Sequence, residues 1–297
     1  MVFAWQGWRL EMPRHWSPLR LEGNYDEGSA MVADLHRPRF ALRWKRAGKR
    51  LNAVTWTRKT MNAEIGRLAS DEATDFACGN AADWSGGRLY IEPKPPGRDV
   101  WIALSNVSGR TVEFVYHAHR RDRIISQRLL PTLSDSPVGQ DMDWSVFDLS
   151  CRSPAGLMLM DQRLNSGNLS LSFGDLKKTQ VTVQQIAVAS LALKRLPLEK
   201  WLAQQIVARR KYYRAIGIAA KEEDQDLLSQ GSRRRRRWCW RWWIAPSFVT
   251  LAKHDLQRDR LVIVDATSRE LATQMLRSVA WAGDAVGGGP DDASEED

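Results

Sequence analysis

The hydrophobic pattern of this chain repeats at a fixed spacing, which limits its architecture more than any other feature. Shifted by 139 residues, the pattern re-registers without a gap for about forty positions. Trp5 falls on Trp144, Trp8 on Phe147 and Leu10 on Leu149. Leu19 and Leu21 fall on Met158 and Met160, Gly28 on Gly167 and Val32 on Leu171. Leu42 and Trp44 fall on Val181 and Val183. What recurs is the apolar class of each position, together with one turn glycine, rather than the residue itself. A second stretch re-registers at 149: Leu89 and Ile91 meet Trp238 and Trp240, Ile102 meets Leu251, and Val112 and Phe114 meet Leu261 and Ile263. The pattern implies two tandem copies of one module.

Local periodicity gives each module strands, a long helix and more strands. Trp8, Leu10 and Met12 alternate on one face, and Pro13 ends the run. Leu19 and Leu21 continue as a short strand, and Asn24 to Gly28 reads as a turn. Ala30–Leu35 and Phe40–Trp44 form a hairpin. From Leu51 to Ala77 the spacing of Val54, Met61, Ile65 and Leu68 becomes helical, with Gly79 and Asn80 as the stop. Strands are predicted at Arg88–Glu92, Val100–Ser105, Val112–His117 and Arg123–Leu130, with Gly109 in a tight turn. The second copy has strands at Val146–Ser150, Leu157–Asp161, Asn168–Phe173 and Gln180–Ile186. A helix over Leu196–Ile216 carries Leu198, Leu202, Ile206 and Tyr213, with Pro197 in its first turn. Strands at Trp238–Ile244, Phe248–Ala252 and Leu261–Val264 precede a last helix, Ser268–Trp281, capped by Ser268.

Strands joined by short turns must pair antiparallel, and a helix on one face gives a layered structure. The expected class is therefore α+β, two tandem modules of mostly antiparallel sheet, each with a long helix packed on it. The modules span 1–131 and 144–282, with a polar linker at 132–143. An Arg-rich insert at 221–237 accounts for the longer spacing in the second copy. The end, 283–297, is Gly-rich and then acidic, and is expected to be disordered. The opening Trp8, Leu10, Pro13 and Trp16, then a hairpin, one long helix and a strand meander, resembles the Mog1/PsbP-like α+β fold, here duplicated. The second copy lacks the Pro and the second Trp of that opening. The resemblance implies non-enzymatic binding or assembly roles and brings no catalytic motif.

Charge narrows the partners. The chain of 297 residues has a formal charge of +9 and holds 14 tryptophans. A basic surface favours acidic partners. Arg233, Arg234, Arg235, Arg236 and Arg237 run together, followed by Trp238, Trp240, Arg241, Trp242 and Trp243. Five adjacent guanidiniums stay solvated and suit phosphates or carboxylates, while indoles suit stacking on bases. The repeat instead places Trp238, Trp240 and Trp242 as core. His117 and His119 share one face of a strand, a possible metal pair, but no third ligand is visible and Arg120, Arg121 and Arg123 oppose a cation. Cys78, Cys151 and Cys239 are too scattered for a disulfide framework or zinc site. Met1 to Pro13 lacks the layout of a signal peptide, and no stretch of eighteen apolar residues occurs.

The sequence thus points to a cytoplasmic, non-catalytic binding or adaptor protein. It would act through the groove between the modules and the basic connector, with an acidic protein as partner. A nucleic-acid-binding accessory protein using Arg233–Arg237 and Arg241 is the alternative. An enzyme with a spatially assembled Cys/His site is a third. No cofactor, metal or membrane contact is expected.

Overall fold

The structure, a computed structural model, describes residues 1–94, 96–119, 124–165, 167–175, 178–209, 213–221, 227–234 and 247–281. The first strands are β1 (Val2–Trp5) and β2 (Trp8–Glu11), joined by a tight turn in which Gln6 and Gly7 both take positive φ. Next come β3 (Ser17–Gly23), β4 (Glu27–Ala33) and β5 (Pro38–Arg46). Asn24 makes the β3–β4 turn by accepting from the amides of Asp26 and Glu27. Helix α1 (Ala53–Ile65) starts where Asn52 accepts from the Thr55 amide and stops at Gly66, whose φ of 85° suits glycine alone. After α2 (Arg67–Asp71) come β6 (Thr74–Asp75), β7 (Trp84–Tyr90), β8 (Gly97–Ser105), β9 (Arg110–Ala118) and β10 (Ser134–Asp135).

The order then recurs. Strands β11 (Met142–Val146) and β12 (Leu149–Ser153) form a hairpin, followed by β13 (Met158–Asn165), β14 (Asn168–Asp175) and β15 (Lys178–Ala187). Helices α3 (Ala189–Ala192) and α4 (Leu198–Arg209) precede β16 (Tyr213–Lys221), β17 (Leu227–Arg234), β18 (Ser247–Asp255) and β19 (Arg260–Ala266). Helix α5 (Arg269–Ser278) and β20 (Ala280–Trp281) end the described chain. Ser268 caps α5, accepting from the Leu271 amide at 3.2 Å, as its sequence predicts.

The class is α+β and rich in strand. Three antiparallel sheets have the orders β3-β4-β5-β9-β8-β7-β6, β13-β14-β15-β19-β18-β17-β16 and β10-β2-β1-β11-β12-β20. The first two orders are the same once ten is added to each strand number.

The chain divides into two compact units, Met1–Ser150 with β20, and Cys151–Val279. In the first, Met61 of α1 packs with Ala73, Tyr90, Val100, Ile102 and Val115 on one face of the seven-stranded sheet. Alternation along β9 sends Val112, Phe114 and Tyr116 to the other face. There the aromatic side chains interlock. Phe40 stacks on Phe114 at 4.9 Å, Trp16 on Tyr116 at 6.3 Å and Trp8 on Trp84 at 6.2 Å. Such pairs add roughly 0.5–1.5 kcal/mol each beyond the area they bury. In the second unit, Trp201 and Leu202 of α4 pack with Ala189, Ala252, Leu261 and Ile263. Helix α5 packs on β15, β18 and β19, and buries Ala272 and Met275.

Several elements differ from the sequence reading. Val54 and Leu68, expected to face the core, are exposed, while Thr57 and Met61 are buried. The predicted strand Arg123–Leu130 is helical from Ile125 to Leu129. The predicted strand Val146–Ser150 is cut by the hairpin turn at Phe147, whose φ is 52°. The second helix ends at Arg209, so Tyr213 and Ile216 lie in β16 instead. Within the expected linker, Asp135 pairs with Trp8 in the sheet register. The expected strand Trp238–Ile244 and the tail 283–297 lie outside the described residues.

The spacing between matching features also differs from 139. Gln6 and Phe147 are the matching positive-φ residues of the two hairpins. The β3–β4 ladder shifts register between Pro18 and Arg20, and the β13–β14 ladder between Leu159 and Asp161. The β4–β5 and β14–β15 ladders shift after Val32 and Phe173. Asp34 accepts from the Arg37 amide and the Arg39 side chain; Asp175 accepts from the Lys178 amide and the Gln180 side chain. Each pair is 141 residues apart. At this spacing Pro154 matches Pro13. Later in the chain, Gly109 and Asp259 are the positive-φ turn residues, 150 apart rather than 149.

Candidate binding surface

Among the described residues, strand β16 forms one edge of the second seven-stranded sheet and pairs with β17 alone. Register brings cationic residues together there. Arg214 stands opposite Arg233, and Tyr213 opposite Arg234. On the other side of β17, Ser247 stands opposite Arg233. This corrects the expectation of a free basic connector over Lys221–Arg237: Lys221 ends β16, and Leu227–Arg234 is a strand paired on both sides. Arg233 and Arg234 therefore lie in a strand rather than a loop. Arg235, Arg236, Arg237 and Arg241 lie outside the described residues, as does Cys239. A separate shallow depression on α5 is lined by Arg269, Glu270, Thr273, Gln274 and Arg277.

His117 and His119 sit at the end of β9, where Arg98 is the register partner of His117. Burial, and then the Arg98 and His119 charges, lower the His117 pKa below its usual value. Neutral imidazole is the form that binds metal, but a guanidinium alongside repels the ion. Among the described residues, no group of three His, Cys, Asp or Glu side chains is placed to hold a metal.

Cys78 and Cys151 are buried and in no disulfide. Burial pushes the Cys78 thiol well above its ordinary pKa, away from the thiolate that a nucleophile needs. Near the end of α1, Glu64 and Glu113 share Arg43, which lies 3.7 Å from the first and 3.2 Å from the second. Burial, and then the Glu64 charge, raise the Glu113 pKa, while Arg43 opposes them.

Among the described residues, the most enclosed charge is one the sequence does not reveal. Arg110 is 0% exposed, ion-paired to the equally buried Asp135. Its guanidinium donates to the carbonyls of Gln6 and Tyr25, each at 2.7 Å. It lies 4.4 Å from the Trp8 ring and 3.9 Å from the Tyr25 ring. Ser108 donates to Asp135 as well. All of these groups are consumed within the first unit, so the cluster fastens it rather than binding a ligand. No spacing rule links Arg110 to Asp135, and the one sequence hint is Gly109, which turns the chain just before Arg110.

Comparison with family models, curated proteins and solved structures finds no match for this chain. Among the described residues, no helix is long and apolar enough to cross a membrane.

Proposed function

We propose that this is a non-catalytic binding or adaptor protein that takes an acidic protein partner on the Arg-bearing end of β16 and β17. The observation that carries this reading is the register of Arg214 opposite Arg233. Like charges directly opposite each other weaken a strand pair. An acidic partner laid across them relieves that repulsion. Four more arginines, Arg234–Arg237, follow Arg233 directly in the sequence, and the whole chain is basic. We further propose that the chain consists of two tandem copies of one module with a Mog1/PsbP-like layout. The matched sheet orders and the features recurring 141 residues apart support that duplication. A cytoplasmic setting suits Cys78 and Cys151, which are in no disulfide.

The test replaces Arg233–Arg237 with Ser in the full chain and compares binding to polyglutamate and to single-stranded DNA. The proposal expects a melting temperature that does not fall, or rises slightly as the Arg214–Arg233 repulsion is removed, and lost polyglutamate binding. The wild-type interaction should weaken as salt rises, because exposed charges are screened beyond roughly 8 Å at physiological ionic strength. Unaltered polyglutamate binding would contradict it. Wild-type retention on DNA alone, with a steep salt slope, would transfer the site to nucleic acid.

A further inference from the structure

We propose that one end of the second seven-stranded sheet, formed by α3 and the β18–β19 turn, docks on an anionic lipid surface. Three large aliphatic side chains project there: Val188 is 53% exposed, Leu191 68% and Leu256 75%. Single exposed aliphatics are common on any protein. These three belong to two segments that are tied together. The Ala189 amide donates to the Asp259 carbonyl at 2.9 Å. The Ser190 amide and hydroxyl donate to the two Asp259 carboxylate oxygens at 2.6 and 2.8 Å. The aliphatic groups are thus held on a fixed platform. Val188 takes a left-handed backbone (φ 53°, ψ 57°), a strained state for a β-branched residue.

The matching turn of the first unit shows the alternative use of this position. Asn106 stands where the second unit has Leu256. Its amide donates to the Ala82 carbonyl at 2.9 Å, and its side-chain oxygen accepts from Ser85 at 2.7 Å. Leu256 has no such fastening role and faces water.

Charge selects the occupant. Lys194 and Arg195 follow α3 and are exposed, and Lys253 and Arg260 flank the turn. The acidic groups in these segments are engaged: Asp255 pairs with Arg258 at 3.0 Å, and Asp259 with Ser190. Aliphatic tips ringed by Lys and Arg match an anionic bilayer, which admits the tips among its acyl chains and the cations among its headgroups. A protein partner would need a pocket shaped for the tips; a bilayer deforms around them. Arg233 stands opposite Ser247, at the other end of β18 from this turn.

Flotation of the full chain with lipid vesicles tests the proposal. Wild type should float with phosphatidylcholine vesicles containing about 30 mol % phosphatidylserine, and not with phosphatidylcholine alone. L191N/L256N should reduce the bound fraction by about tenfold or more with an unchanged melting curve. K194S/R195S should reduce it as well, most strongly at low salt. The proposal is overturned if wild type does not float. It is equally overturned if L191N/L256N floats like wild type, because binding would then rest on charge elsewhere, such as Arg233–Arg237. Should L191N/L256N melt early, L256N alone, which installs the residue found in the matching turn, must still lose binding.

Discussion

The two seven-stranded sheets share a strand order and differ in what holds them. Where the first unit places Trp44 against the sheet, the matching position of the second is Gln185, and both are buried. Trp5 and Trp8 match Val146 and Leu149, all buried in the six-stranded sheet. Arg110, sealed with Asp135, matches Arg260 in the second unit, which is half-buried at the first position of β19. Asp135 matches Trp281, each pairing with the matched residue of a hairpin, Trp8 or Leu149. The difference teaches that strand order here follows the turns and bulges, which recur, while the side chains between them differ. Leu19 and Met160 make the point. Each sits at the register shift of an edge strand and each is exposed, 64% and 43%. A bulge turns one residue out of the ladder, whatever its polarity.

The largest effect that could break this comparison lies at the ion pair. Arg110→Ala should cost about 3–5 kcal/mol, because it leaves Asp135 charged, buried and unpaired. Arg260→Ala in the matching position should cost about 1 kcal/mol or less. Urea denaturation followed separately for each unit measures both. Equal costs would mean that the two turns do equivalent structural work, against the difference argued above.

A smaller effect concerns the repeated Asp turn. Burial disfavours the Asp34 carboxylate, but the His36 and Arg37 amides and the Arg39 guanidinium overcome it and hold the pKa at about 2. A pKa lowered on folding contributes stability above its unfolded value of 3.8, and that stability is lost as pH falls towards about 2. Asp34→Asn should therefore flatten the acid limb of the first unit's stability curve between those values. A melting series against pH checks this, and an unchanged limb would remove Asp34 from the account.

The smallest effects have opposite signs. Val188→Gly should stabilise by about 1 kcal/mol by relieving a left-handed valine. Ala47 follows β5 as Val188 follows β15 but is not left-handed, and it donates to Gly109 as Ala189, not Val188, donates to Asp259, so Ala47→Gly should destabilise by about 0.4–1 kcal/mol. Thermal melts of the two variants decide, and shifts of the same sign would show that the end of β5 and the end of β15 are built alike.

Much of this fold was legible in the sequence, with a physical reason for each miss. Strand side chains alternate with period two, so registers two residues apart present the same faces. Spacings of 139 and 141 are therefore indistinguishable by hydrophobicity. Only turn residues break the tie, and Pro13 with Pro154, Asn24 with Asn165 and Asp34 with Asp175 do so. The later spacing was wrong by one because Leu261, Val262, Ile263 and Val264 are all buried. A strand covered on both faces carries no alternation to read. Tyr213 continues a helical spacing, which extends the preceding helix over β16 in the sequence, although the Ile216-Gly217-Ile218 alternation suits a strand equally well. Of the candidate site, the arginines were legible as a run. Their pairing with β16 was not, because it depends on which strands neighbour one another.

The central claim is that one set of turns and bulges is used twice, 141 residues apart. Residue-resolved hydrogen exchange on the intact protein tests it most directly. Protection over residues 2–46 should recur over 143–187 at that spacing. Leu19 and Met160 should both exchange fast between protected neighbours, and the Arg46 and Ala187 amides, which donate to Asp26 and Gly167, should both be slow. A protection pattern that recurs at another spacing, or not at all, would contradict the account.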